Sequence, residues 1–268
     1  MRRAVVAILF ASLICASCTS TPATGPKGIG STSTSTTSST TRPRSALDDL
    51  TAFFTAAAEI DQELKAAAVD ANGAIGTTQI TISQSTLDAI ATADPTPAAR
   101  DIPAGLPSDV MLPVLMVQSD LVSRYWAFRG FVQAKPGTVP RANPLPGTLS
   151  AADYLLLCLG SGSKAASSFS ADVTAARTAA SQAPPVVPVD PSSQTAADLA
   201  IWLHYIIGSN SGCMECGGSR FTALLPITWH PVAPLTPGGN GWDGDMAGGL
   251  FTANYSPVQG WTVQFNAC

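Results

Sequence analysis

Apolar residues recur at three- and four-residue steps along most of this chain, and that period stops at Gly208. The switch constrains the fold more than any other feature. A 3.6-residue period buries one face of a helix, whereas a strand needs a period of two. The pattern is cleanest at Leu47, Leu50, Phe53, Phe54, Ala57, Ile60, Leu64, Ala67 and Ala68. Ser45 with Asp48 three residues on has the form of a capping box, with Asp in place of Glu, and Gly73 and Gly76 end the helix. A shorter helix is predicted from near Ser85 to before Pro95, and the prolines of Asp94 to Pro107 predict a loop. Pro107 suits the first turn of a third helix carrying Met111, Leu112, Leu115, Leu121, Tyr125, Trp126 and Phe128, with Pro113 in its first turns or at a kink. Ser150 and Asp153 repeat the capping signal before Tyr154 to Leu159, Gly160 and Gly162 mark a kink, and Lys164 to Gln182 continues the helix. A last helix, near Thr195 to Ile207, is expected to bury Leu199, Trp202, Leu203 and Ile206. Beyond Gly208, glycine, proline and aromatics rise. Arg220 to Trp229, Gly249 to Tyr255 and Trp261 to Ala267 read as strands, with Ser256 to Gly260 as a hairpin turn. The fold class is therefore mainly α: a helical bundle over 45–208 and a small β-rich cap over 209–268, α+β overall.

The chain is 46% hydrophobic and 12% charged, about half the usual charged share of roughly 25%. Alanine supplies much of the first figure, which favours close-packed helices. Without Arg2 and Arg3 the 14 basic residues fall to 12, against 18 acidic ones. That balance disfavours nucleic-acid binding, which depends on phosphate neutralisation by Lys and Arg.

The N-terminus predicts where the chain resides. Arg2 and Arg3 precede an apolar run from Ala4 to Ile14, followed by Cys15, Ala16, Ser17 and Cys18. A basic start, a short apolar core and small residues before a cut describe a secretory leader over 1–17. The run is short of the ~20 residues that span a bilayer. With Ala16, Ser17 and Cys18 in the last three places of the cleavage motif, and Cys15 where an aliphatic residue is usual, the leader resembles that of bacterial lipoproteins. The resemblance covers these first residues alone. It implies lipidation of Cys18, by chains such as palmitate, and an extracytoplasmic protein anchored to the cell membrane. Plain cleavage near Ser17 and secretion is the alternative. Stable anchoring takes more than one chain, at about 0.8 kcal/mol per buried methylene. Residues 18–44 are dominated by Ser, Thr, Gly and Pro, with "STSTSTTSSTT" over Ser31 to Thr41. Such a stretch buries too little apolar surface to offset its ordering entropy, and reads as a tether.

In an oxidising compartment, Cys158, Cys213, Cys216 and Cys268 are expected to form two disulfides, with three pairings open. Bridges from Cys158 and from Cys268 to the Cys213/Cys216 pair would pin the cap to the bundle. A redox reading of Cys213-Met-Glu-Cys216 is weakened by Gly217 and Gly218, which do not start a helix. A zinc site would have to draw on Cys213, Cys216, His204 and His230, ligand types that suit zinc in a compartment that does not. His204 reads as a structural helix residue and His230, before Pro231, as an exposed loop residue. "GSGSK" at Gly160 to Lys164 lacks the spacing of a phosphate-binding loop. No metal and no cofactor are expected.

Asp243 and Asp245 fall in a glycine-rich stretch, Trp242 to Gly249, that reads as a solvated turn. Trp229, Trp242 and Trp261 read first as core of the cap, and otherwise as aromatic ligand contacts beside the two acids. The functional expectation is a membrane-anchored, non-enzymatic binding or structural module at the cell envelope, with an envelope protein or glycan as partner. The alternative is an extracytoplasmic enzyme acting on envelope polymers through Asp243 or Asp245.

Overall fold

The computed structural model describes residues 44–76, 78–128, 136–140, 151–211, 221–230, 240–246 and 249–265. The expected leader, Cys18, the tether through Pro43, and Cys213, Cys216 and Cys268 lie outside the described residues.

The chain is mainly α with a small C-terminal antiparallel sheet. Helix α1 (Ala46–Asp49) is started by the capping box: the Ser45 N–H donates to Asp48 Oδ2 at 2.7 Å. One helix was expected from here to Gly73, but a break at Leu50 separates α1 from α2 (Thr51–Gly73). The apolar stripe survives the break. Leu50, Phe53, Phe54, Ala57, Ile60, Leu64 and Ala67 are all buried. Helix α3 (Gln84–Thr92) starts where Ser83 Oγ accepts from the Thr86 N–H at 3.1 Å. The expected loop before Pro107 contains a 3-10 turn at Pro97–Asp101.

Helix α4 (Ser108–Trp126) follows Pro107 and carries Pro113 within it. Sequence reading singled out its apolar residues alone, yet every residue from Val117 to Arg124 is buried, including Gln118, Ser119, Asp120, Ser123 and Arg124. A helix surrounded on all sides loses its amphipathic signature, because its polar residues find partners in the interior. Gln118 Nε2 donates to the Pro95 carbonyl at 3.1 Å. Ser119 Oγ accepts from the Phe221 N–H at 3.1 Å. Ser168 Oγ donates to Asp120 Oδ2 at 2.8 Å, and Arg124 Nη1 donates to Asp61 Oδ1 at 2.7 Å. Each polar side chain reaches a different part of the molecule, so together they fix the register of α4 against all its neighbours.

Helix α5 (Ala151–Gln182) runs unbroken through Gly160 and Gly162. The expected kink is thus replaced by a close approach. A Cβ on Gly162 would lie 2.7 Å from the Cβ of Ala127, so the glycine lets α5 settle against the end of α4. The same continuity places "GSGSK" inside a helix. An extended proline-rich strap then leads to α6 (Gln194–Ser211), with the Val186 N–H donating to Asp49 Oδ2 at 2.8 Å. Helix α6 buries Leu199 and Ile206 as expected, with Trp202 and Leu203 partly covered. Among the described residues, no helix is long and apolar enough to cross a membrane.

Two strands escape the helical reading. Strand β1 (Gln79–Ile82) pairs antiparallel with β2 (Gly137–Pro140) and buries Ile80 and Ile82. The alternation of Thr78 to Ile82 carried that signal. The C-terminal sheet is an antiparallel meander of β3 (Ile227–His230), β4 (Asn240–Met246), β5 (Gly249–Ser256) and β6 (Gly260–Phe265). The expected strand from Arg220 is shorter, beginning only at Ile227. The expected turn at Trp242 to Gly249 is mostly strand β4. Its glycine has a packing reason: a Cβ on Gly244 would meet both the Phe251 ring and the Thr228 carbonyl at 2.5 Å. Body and cap belong to one compact unit, Pro43–Cys268.

Candidate functional site

Alternation along the strands gives the cap two unlike faces. Met246, Phe251, Ala253 and Val263 are buried against Ile201 of α6, with Trp229, Trp261 and Phe265 packed around them. His230, Asp243, Asp245 and Leu250 fall on the other face.

Asp243 and Asp245 therefore stand on a strand, two residues apart on one face, and not in a solvated turn. Asp243 is the register partner of His230, and His230 Nε2 lies 2.9 Å from Asp245 Oδ2. His230 ends β3 and was expected in a loop; its expected exposure is correct, at 50% for the side chain against 39% for Asp245. A polar contact this open to water contributes at most about 1 kcal/mol. The depression beside it, 240 Å³, is lined by His230, Asp243, Gly244, Leu250 and Phe251. Among the described residues no three metal-ligating side chains converge. The two histidines are kept apart by the sheet. His204 on α6 stacks on Phe265 of the inner face, with ring centroids 5.7 Å apart, while His230 is on the outer face. Burial holds the His204 imidazole below its ordinary pKa.

Trp229 is partly buried against the core of the cap. Its ring meets Phe251 edge-on at 5.4 Å, and its indole N–H donates to Asp198 Oδ1 at 3.1 Å. Partial burial raises the Asp198 pKa, and the Trp229 hydrogen bond opposes that shift. Trp242 lies on β4 opposite Ala253, and its side chain lies outside the described set. Trp261 is only partly covered. Its indole N–H donates to the Pro191 carbonyl at 2.7 Å, and its ring lies 5.4 Å from that of Tyr255.

Trp261 and Tyr255 form one wall of a groove of 420 Å³. The loop at Pro103 to Gly105, the strap at Val186 to Pro191, and Ala196 and Leu199 of α6 form the rest. Among the described residues, no carboxylate, amide or cation lines it. Sequence reading had singled out Trp261 but not Tyr255 or the prolines, which come from segments distant in the chain. Their shared proline content was the available signal. Cys158 is fully buried on α5 and is disulfide-bonded. Comparison with protein-family models, with curated proteins and with solved structures gave no match.

Proposed function

We propose that this chain is a lipid-anchored, extracytoplasmic binding module, held to the cell membrane through Cys18 and presenting the Tyr255–Trp261 groove to an envelope protein. The groove is the observation that carries the reading. Two aromatic rings face an uncharged, proline-lined channel, and the indole of Trp261 is fixed by its bond to Pro191. Aromatic-lined grooves of this chemistry suit extended, proline-bearing peptide, whose backbone is already ordered before it binds. A sugar would look for carboxylates and amides beside the aromatic ring, and the lining offers neither. Asp243 and Asp245, on which an enzyme acting on envelope polymers would depend, stand instead on an open sheet face.

The experiment is a fluorescence titration of the purified full chain with extended proline-rich peptides and, separately, with soluble peptidoglycan fragments. Saturable binding of peptide, lost in Trp261→Ala with the helical circular dichroism intact, is the expected result. Binding of glycan alone would replace the partner class, and binding of neither would end the groove reading. Anchorage is checked by detergent partitioning: Cys18→Ser should leave the membrane fraction or accumulate unprocessed. Unchanged partitioning would remove the lipoprotein reading.

A further inference from the structure

A second cavity, independent of the groove, opens between α2, α4 and α5. It has a volume of 240 Å³, and its walls include Leu64, Ala68, Phe128 and Leu159. Val69, 74% exposed, continues the apolar surface outward. Two cations line this mostly apolar space, beside the polar side chains of Asn72 and Ser163. Arg124 is 5% exposed and Lys65 is largely in solvent.

Both bond to one carboxylate. Asp61 Oδ1 accepts from Arg124 Nη1 at 2.7 Å, and Asp61 Oδ2 accepts from Lys65 Nζ at 2.6 Å. Among the described residues the two cations, and no carboxylate, line the cavity itself. Arg124 also reaches the Asp61 carbonyl oxygen through Nη2 at 3.4 Å. A guanidinium carries five N–H donors, and these two bonds use two of them. The guanidinium also lies 5.4 Å from the Phe169 ring centroid, so it packs on α5 as well as α2. Neither contact requires Lys65 or an open cavity alongside. Mostly apolar walls ending in two cations are complementary to a small amphiphilic anion, and the volume falls below the roughly 300–1,000 Å³ of drug-sized ligand sites.

We propose that this cavity binds a small apolar carboxylate, its hydrocarbon against Leu64, Phe128 and Leu159 and its carboxylate on Arg124 and Lys65. At 240 Å³ the cavity has room for the acid as a free molecule. Octanoate is the probe, with octanol and octylammonium as neutral and cationic counterparts of the same length.

Ligand-observed NMR on the purified full chain should show saturable octanoate binding that weakens with added salt. Octanol should bind at least tenfold more weakly, and octylammonium should not bind. Arg124→Gln should abolish octanoate binding. Because Arg124 also ties α4 to α2, two milder variants keep the test open should that one unfold. Lys65→Gln should weaken octanoate about two- to fivefold, as expected for an exposed charge, and leave octanol unchanged. Ala68→Phe, which fills the cavity, should exclude both. Octanol binding as tightly as octanoate, Lys65→Gln leaving octanoate affinity unchanged, or octanoate failing to saturate the wild-type chain would each overturn the proposal. Binding of anionic phospholipid vesicles in place of octanoate would do the same, by assigning the positive charge to a membrane surface.

Discussion

The helical body and the C-terminal sheet handle polar groups in opposite ways. The body takes them inside. Gln118, Ser119, Asp120 and Arg124 are buried on the central helix, and each is bonded to a different neighbouring segment. Such bonds add little net stability where the alternative is water. Left unmade in the interior they are expensive, so they select one arrangement of helices over others of equal apolar burial. The sheet keeps its polar groups out. His230, Asp243 and Asp245 stand on the solvent face, and the inner face is aliphatic and aromatic. Its links to the body run through indole N–H groups, Trp229 to Asp198 and Trp261 to the Pro191 carbonyl. The body is thus specified by buried polar register, and the cap by strand alternation and aromatic tethers. A frame of the first kind resists change, whereas a surface of the second kind can vary its outer residues without disturbing what holds it.

The largest effects come from attacking each core in turn. Phe53 is fully buried in the body and Phe251 nearly so in the cap. Phe53→Asp would place an unpaired charge in the main core and should abolish cooperative unfolding altogether. Phe251→Ala should cost about 3–5 kcal/mol, with its damage concentrated in the cap. The helical far-ultraviolet signal should persist at room temperature while the tryptophan emission of Trp229 and its neighbours shifts to that of exposed indoles. If helix and tryptophan signals of Phe251→Ala are lost together in one transition, body and cap are a single cooperative unit and the contrast between them is geometric only.

A smaller effect tests how closely the body is packed. Gly162→Ala adds a methyl where the Ala127 Cβ would be 2.7 Å away. Overpacking of this kind costs about 1–3 kcal/mol, in spite of alanine's better helix propensity. Ala127→Gly in the same chain should recover most of the loss, and a thermal double-mutant cycle measures the coupling. Additive effects would mean that α5 can shift away from α4, and that the body is looser than its buried polar bonds imply.

What could be read from the sequence follows the same division. The stripe from Leu50 to Ala67 was legible because α2 has one buried face. The path of α4 was legible too, but not its role: a helix buried all round shows no period, and Gln118, Asp120 and Arg124 look like surface residues until the segments that satisfy them are in place. The cap was partly legible. Strands β5 and β6 alternate clearly, while β4 was hidden by glycines whose purpose, room for the Phe251 ring at Gly244, exists only once the strands are paired. Neither the groove nor the cavity beside Arg124 could be located, since each is assembled from segments far apart in the chain. Trp261 and Cys158 could be singled out in advance because of what their side chains can do, crosslinking for a thiol outside the cytoplasm and stacking for an indole on a strand.

The smallest effect concerns the seam where the two regions meet, and it separates them by pH. His204 and Asp198 both lie on α6 and both face the cap, His204 against Phe265 and Asp198 against Trp229. Burial lowers the His204 pKa from its ordinary 6.5. The unfolded chain therefore takes up this proton first as pH falls, and stability declines from about 6.5 down to the lower folded value, then levels. Asp198 acts in the opposite sense. Burial raises its pKa above the ordinary 3.8, so the folded chain takes up that proton first, and stability rises as pH falls through the interval between the folded value and 3.8. The two arms partly offset one another in the native chain, and each is exposed by removing the other. His204→Phe keeps an aromatic ring on Phe265 and should delete the decline below neutrality. Asp198→Asn keeps an acceptor for the Trp229 N–H and should delete the recovery at lower pH. Melts followed by tryptophan emission across the acid range should show these two changes, with the far-ultraviolet helix signal responding less. Parallel pH profiles for the native chain and His204→Phe would place His204 in water and not at the seam.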